Sequence, residues 1–494
     1  MKTIRTMLAV MLTVACCTEV TAQSVRAQGA GNNGEGTANV FRIDYFTPVT
    51  NISLTNGPQL YSDNSVKFFV RATDAQKVQV DIGGTKYDMV KGDGNIWTVR
   101  TNPLVPGFHY YSLIIDGVSV ADPASQSFYG CSRWSSAIEI PEKGMDDFEV
   151  QNVPHGDVRT VHYYSKVEKV WRPLMVYTPA GYDEGKQDYP VVYIQHGGGE
   201  DHRGWMEQGR TAQIMDNLIA AGKAVPMIVV SSNSNVRSSS GGFGGGGYSW
   251  QGMQTFRSEL LESVIPFVEK TYRVKNDRKN RAMCGLSMGG GQSFYIGLRD
   301  PEVFANVGVF STGMFGGIRG ASNFDLEKEV PGMLSDTETF NKQFDVFFIS
   351  CGEQDPRIEY TRNIVKQMRN GGVNVRFNSY PGDHEWQVWR KSLHEFAQYL
   401  FKTSITAEMA YKGVSNYCHS TYDWSVAESN PSIMYIKMGE ETDSTYQVVF
   451  RSYTGAFVNF YVDKTNGKTR MEEYVPALDA KSDAGTIELF DYLP

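Results

Sequence analysis

Several things are scarce in this sequence, and each shortage removes a class of function. Only 6 of its 494 residues are cysteine, and two of these, Cys16 and Cys17, fall in an N-terminal leader. The remaining Cys131, Cys284, Cys351 and Cys418 are too widely spaced for a zinc-site signature and give no reason to require a disulfide. Cys284 and Cys351 lie in apolar strand-like runs, where a buried free thiol is expected. Basic residues are outnumbered, 47 Lys and Arg against 55 Asp and Glu, for a net charge of −8. That balance argues against nucleic acid or an anionic membrane as a partner. Beyond the leader, no uncharged apolar run approaches the length needed to cross a bilayer. No metal and no organic cofactor is implied.

What is present is the composition of a globular protein, 41% hydrophobic and 12% aromatic, on a chain long enough for two or three domains. The leader reads as a signal peptide over residues 1–22. Lys2 and Arg5 form its basic start, residues 7–17 its apolar stretch, and Val20-Thr21-Ala22 its small-residue cleavage site. A secreted or periplasmic protein is expected. Lipid attachment at Cys16 or Cys17 is the weaker alternative, because Thr13-Val14-Ala15 is a poor lipobox.

Residues 23–40 are small and polar, as in a flexible leader. Over 41–140, "SVKFFVRA", "KVQVDIGG", "GNIWTVRT" and "HYYSLIIDG" alternate apolar and polar residues between turn signals, which predicts an all-β sandwich. Its Trp97, Phe108, Tyr110 and Tyr111 suit either a glycan platform or the core, and the alternation favours the core for most of them. From 155 to 403 short apolar strands alternate with helix-like stretches at 207–222, 253–272, 288–299 and 357–370, the pattern of an α/β domain on a mostly parallel sheet. Residues 404–494 predict a small β-rich lobe of unassigned role, with Thr465-Asn466-Gly467-Lys468 as a hairpin turn.

The chemistry gathers around Gly285-Leu286-Ser287-Met288-Gly289. The spacing G-x-S-x-G suits a nucleophile elbow, a strained strand-to-helix turn that exposes a serine hydroxyl, although five residues fit a glycine-rich turn equally well. A serine needs a base and the base needs an orienting acid, in the chain order Ser, Asp or Glu, His. Of the three histidines after Ser287, His384 stands on a Pro/Gly loop between a strand and a helix. His394 lies within that helix and His419 in the C-terminal lobe. The strand "FFISC" runs out into a loop carrying Glu353 and Asp355, with Asp355 preferred as the acid; Asp383 adjoins the base and is poorly placed to orient it. Backbone N–H groups for an oxyanion are expected from Met288 and from the glycines after His196, whose own role reads as structural.

Residues 155–403 resemble carbohydrate esterase family 1, the feruloyl and acetylxylan esterases. The motifs that carry this are "VYTPAGYD" (176–183), "QHGGGEDHRGW" (195–205), "GLSMGG" (285–290), "CGEQD" (351–355) and "GDHEWQVWR" (382–390). The resemblance implies an α/β-hydrolase fold with Ser287 as nucleophile, Asp355 and His384 as its partners, and Gly198 and Met288 as the oxyanion donors. The segment 41–140 is similar to the early-set immunoglobulin-like modules grouped with family 48 carbohydrate-binding modules. Trp205, Tyr248, Trp250, Met314 and Phe315 stand on loops leaving strand ends and are expected to line an acyl pocket. An aromatic lining favours a feruloyl group on plant cell-wall xylan. Acetylxylan esterase is the alternative, siderophore-trilactone esterase a second, and a glycan-binding protein with an inert esterase domain the non-enzymatic reading.

Overall fold

The computed structural model describes residues 45–493 apart from 53–56, 238–248, 318–323, 403–404, 428–429, 431 and 465–466. The signal peptide and polar leader expected over residues 1–40 lie outside the described residues, as do Tyr248 and Thr465-Asn466.

The first region is a β-sandwich. One sheet orders Tyr45–Phe46, Gln59–Tyr61, Val66–Arg71, Ile96–Arg100 and Val90–Lys91; the other orders Ser127–Gly130, Arg133–Ile140, Gly107–Ile115, Val78–Ile82 and Thr85–Asp88. Strand periodicity of two explains the packing, with Val66 and Phe68 meeting Val78, Val80 and Ile82 between the sheets. Trp97, Phe108 and Tyr111 are buried and Tyr110 is half-buried, so these aromatics are core and contact residues rather than an open platform.

The second region is an eight-stranded sheet in the order Asp157–Tyr164, Trp171–Thr178, Ile228–Ser232, Val191–Gln195, Arg281–Leu286, Asn306–Phe310, Val346–Gly352, Arg376–Tyr380. From Ile228–Ser232 onward neighbouring strands run parallel. The five strands from Ile228–Ser232 to Val346–Gly352 are buried along their whole length, as a sheet covered on both faces requires. Val192 and Ile194 face the helices Thr211–Ala220 and Trp386–Tyr399. Val191 and Tyr193 face the opposite layer, which includes Trp250–Glu259 and its continuation to Thr271. This is an α/β-hydrolase fold with its loops at the carboxyl ends of the strands.

The sandwich is stitched to this sheet by polar groups that are themselves buried. Glu139, on Arg133–Ile140, accepts two hydrogen bonds from Arg390 at 2.7 and 3.1 Å and pairs with Arg210 at 3.3 Å. Arg390 also donates to the Gln208 carbonyl, while the Gln208 amide donates to Tyr110 Oη and the Tyr129 carbonyl. Around them Phe108, Phe128, Ala137 and Phe148 join the core of the sheet.

The C-terminal residues form a five-stranded antiparallel sheet, Tyr435–Glu441 through Ala480–Glu488. Against it packs a helix, Ala407–Thr421, that the reading as simply β-rich omits. Thr406 caps it by accepting the Met409 N–H, but Gly413 and scattered Ser and Thr blur its apolar spacing. Among the described residues, no helix is long and apolar enough to cross a membrane.

Candidate active site

Ser287 sits between the strand Arg281–Leu286 and the short helix Met288–Gln292 with φ 52° and ψ −112°, a conformation that non-glycine residues rarely adopt. The flanking glycines follow from space. A Cβ at Gly285 would lie 2.6 Å from the Gly289 carbonyl carbon, and one at Gly289 would lie 2.4 Å from the Gln195 carbonyl oxygen. The turn is therefore tight because two backbones touch, and neither glycine position has room for a side chain. Ser287 projects.

His384 and Asp355 converge on it. His384 Nε2 lies 2.9 Å from Ser287 Oγ, and His384 Nδ1 lies 2.7 Å from Asp355 Oδ2. Acceptance by a carboxylate places the imidazole proton on Nδ1 and leaves Nε2 as the acceptor for the serine hydroxyl. Asp355 is fully buried, and its Oδ1 accepts from Arg357 Nη1 at 2.9 Å and from the Arg357 N–H at 3.0 Å. Burial opposes the charge on Asp355, but the hydrogen bonds from His384 and Arg357 outweigh it and hold the carboxyl below the usual range. Trp389 packs edge-on against the His384 ring at 5.0 Å between centroids. Glu353, the competing acid, is exposed on the same loop and accepts from Ser379 Oγ instead.

The glycine loop after Val191–Gln195 closes the other side. The Cβ position of Gly197 lies 3.5 Å from Ser287 Cβ, and Gly198 is exposed with open space where a side chain would stand. Met288 is the first residue of its helix, a position whose N–H has no acceptor in a preceding turn. The loop is held from behind. His196 is buried, its Nε2 accepts the Ser234 N–H at 3.0 Å, and its Nδ1 therefore donates to the Gly197 carbonyl at 2.8 Å. Glu200 accepts the Gly197 N–H at 2.9 Å, and burial pushes its carboxyl up to about 7.

Of the residues expected to line an acyl pocket, two turn inward, which corrects that expectation. Trp205 is fully buried, donates to the Gln195 carbonyl and packs edge-on to Trp386, so it supports the glycine loop from beneath. Phe315 is buried against Phe294 and Phe324. Loop position reveals which residues leave a strand end, not which way they face. Met314 is half-buried, and Trp250 is exposed with its edge against Tyr295 and the Arg299 guanidinium over its ring. Arg357, Trp389 and Glu200 escape a reading based on triad order. The Arg357 signal was its position two residues after the acid.

A further contribution comes from the sandwich. At the hairpin between Ser127–Gly130 and Arg133–Ile140, Cys131 and Ser132 both have positive φ, and the Ser132 N–H donates to the Gly199 carbonyl at 2.8 Å. Among the described residues, no three metal-ligating side chains cluster as an ion site.

Residues 169–400 match the model of a family described as "Putative esterase". An endo-1,4-beta-xylanase/feruloyl esterase of Xylanibacter ruminicola is 35% identical over 355 residues, which are 70% of this chain and 46% of that protein. Endo-1,4-beta-xylanase Y of Acetivibrio thermocellus is 29% identical over 194 residues, 37% of this chain and 16% of that protein. The chain thus spans less than half the length of these two relatives. The solved enterochelin esterase of Shigella flexneri shares the fold with a TM-score of 0.51 at 16% identity, over 70% of this chain and 95% of that one.

Proposed function

We propose, from the match of residues 169–400 to the putative esterase family, that the chain is a secreted serine carboxylic ester hydrolase that removes acyl groups, feruloyl ahead of acetyl, from plant cell-wall xylan. The observation that carries the reading is the hydrogen-bonded line from Ser287 through His384 to Asp355, mounted on a strained elbow.

In this reading Ser287 Oγ attacks the ester carbonyl carbon while its proton passes to His384 Nε2. The negative charge on the former carbonyl oxygen is met by the N–H groups of Met288 and Gly198. Asp355, kept ionised by Arg357 and His384, holds the imidazolium in register. The sugar alkoxide leaves with the proton from Nε2, giving an acyl-serine. Water then repeats the sequence, giving up a proton to Nε2 as it attacks, and the acid leaves as Ser287 recovers its hydrogen.

The xylan and feruloyl parts draw on the Xylanibacter ruminicola relative, whose name carries both activities. The siderophore reading wants uncommitted positive charge for an anionic ligand. Of three candidate arginines, Arg203 pairs with Asp201 and Arg210 with Glu139 and Glu149, while Arg237 lines a groove together with Glu168.

The test is kinetic. Ser287→Ala is expected to lower turnover of methyl ferulate by roughly a millionfold. Asp355→Asn should cost about ten-thousandfold, and Glu353→Gln far less. A Glu353→Gln defect larger than that of Asp355→Asn overturns the acid assignment. Higher kcat/KM on an acetylated xylo-oligosaccharide than on methyl ferulate overturns the acyl preference.

A further inference from the structure

The glycine loop beside Ser287 is tied down on both sides of Gly198. Glu200 Oε2 accepts the Gly197 N–H at 2.9 Å. The Gly197 carbonyl accepts from His196 Nδ1 at 2.8 Å and from the Glu200 N–H at 3.3 Å. From the sandwich, the Ser132 N–H donates to the Gly199 carbonyl at 2.8 Å. From the loop after Ile228–Ser232, Asn235 Nδ2 donates to the Glu200 carbonyl at 2.9 Å. Arg172 fixes that second loop in turn, donating to the carbonyls of Asn233 and Asn235 at 2.8 and 3.0 Å. Among the described residues, none bonds to the backbone of Gly198 itself.

Of these ties, Glu200 is the one that brings a carboxyl group close to the reacting atoms. A Cβ at Gly197 would lie 3.3 Å from Glu200 Oε2 and 3.5 Å from Ser287 Cβ, so a single residue separates the carboxyl group from the nucleophile. Glu200 is buried, and the titratable groups facing it are Asp201 on its own loop and Tyr110 and Cys131 on the sandwich. None of the three is a cation, and Arg203 of the same loop is bonded to Asp201. Burial, ahead of repulsion from Asp201, pushes the Glu200 carboxyl up to about 7. A neutral carboxylic acid still accepts the Gly197 N–H through its carbonyl oxygen. An ionised one would set a negative charge beside the oxygen that gains one during acyl transfer.

We propose that Glu200 is a positioning residue for ester hydrolysis, anchoring Gly197 so that the adjoining Gly198 peptide is held for the oxyanion, and that it does so in its uncharged form. The proposal rests on the serine-esterase reading above and adds a group that lies outside both the triad and the oxyanion donors. The same carboxyl group that steadies the loop slows the reaction once it gives up its proton.

Two variants of the full-length protein separate anchoring from charge. Glu200→Gln keeps an acceptor for the Gly197 N–H and cannot ionise, whereas Glu200→Met keeps the length and loses the acceptor. On methyl ferulate, Glu200→Met is expected to lower kcat about a hundredfold with KM nearly unchanged, as loss of one oxyanion donor does. Glu200→Gln should stay close to the parent at pH 6. Between pH 6 and 8.5 the parent's kcat/KM should fall about tenfold relative to that of Glu200→Gln, the substrate's own ionisation being common to both. A further arm needs no catalysis: amide hydrogen exchange over residues 196–199 should speed up about tenfold in Glu200→Met and stay unchanged in Glu200→Gln. Parent-like turnover by Glu200→Met overturns the anchoring role, and so does unchanged exchange in that variant. Superimposable pH profiles for the parent and Glu200→Gln overturn the uncharged form, and this comparison decides alone if Glu200→Met does not fold. An equal loss of kcat in both variants at pH 6 marks a merely structural role and overturns the proposal. If the parent hydrolyses no ester, the esterase reading has failed, and exchange alone decides whether Glu200 holds the loop.

Discussion

The N-terminal sandwich and the C-terminal lobe are both antiparallel β structures beside the same catalytic sheet, and they relate to it in opposite ways. The sandwich has a core of its own around Phe68 and Val80, yet it also lends Phe108, Phe128 and Ala137 to the core under the sheet. Its Glu139 lies between two hydrolase arginines, and its hairpin bonds to the glycine loop. The lobe draws its apolar cluster wholly from residue 405 onward, and its ion pairs Lys464–Glu441 and Lys481–Glu472 are internal. A shared fold class therefore says little about a shared role. What distinguishes the two regions is whether buried groups are completed within the region or across its boundary.

Removing residues 45–140 is the harshest way to break this comparison, and it carries the largest expected effect. The hydrolase would lose the Tyr110 partner of Trp386 and the Glu139 carboxylate that pairs with Arg390. Loss of soluble, active protein is expected, read by soluble yield and methyl ferulate turnover. A soluble, fully active truncation would make the sandwich as dispensable as the lobe.

Glu139→Gln tests the boundary without deleting it. It leaves two buried guanidinium groups facing a neutral amide, which should cost about 3–5 kcal/mol of unfolding free energy, read by urea denaturation. A cost below 1 kcal/mol, as for a surface pair, would sever the buried link that the comparison relies on.

A smaller effect sharpens the view of the loop under the hairpin. Glu200 has a folded value of about 7 against an ordinary 4.5, so the folded state keeps a proton that the unfolded chain releases between those values. Stability should therefore fall as pH rises from about 4.5 to 7. Glu200→Gln should flatten that slope and leave the protein relatively more stable above pH 7, as thermal melts across the range would record. An unchanged slope removes Glu200 as its source.

Deleting residues 404–494 carries the smallest expected effect, with kcat/KM on methyl ferulate close to that of the full chain. A large loss would show that the lobe completes something in the hydrolase after all.

These contrasts were unevenly legible in the sequence. The elbow is a local steric pattern, and Gly285 and Gly289 announce it because any side chain there meets backbone within three ångströms. The convergence of Ser287, His384 and Asp355 could be expected from their order and from strand-end loops. The boundary could not. Glu139 and Arg390 stand 251 residues apart, and periodicity reports only which residues share a face of one element. Trp205 and Phe315 show the same limit at short range, since adjacency to a catalytic loop leaves the direction of a side chain open.

The span between Glu139 and Arg390 also sets a clock. At ordinary elongation rates, the 251 residues from Glu139 on to Arg390 take roughly 10–50 s to synthesise. Through that interval the sandwich can complete its own core, yet Phe108, Phe128 and the Glu139 carboxylate wait on the ribosome without the helix Trp386–Tyr399 that will cover them. These aromatics stay uncovered until the last helix of the hydrolase follows them, so recovery of folded protein should depend on keeping that one face shielded through synthesis and export alike.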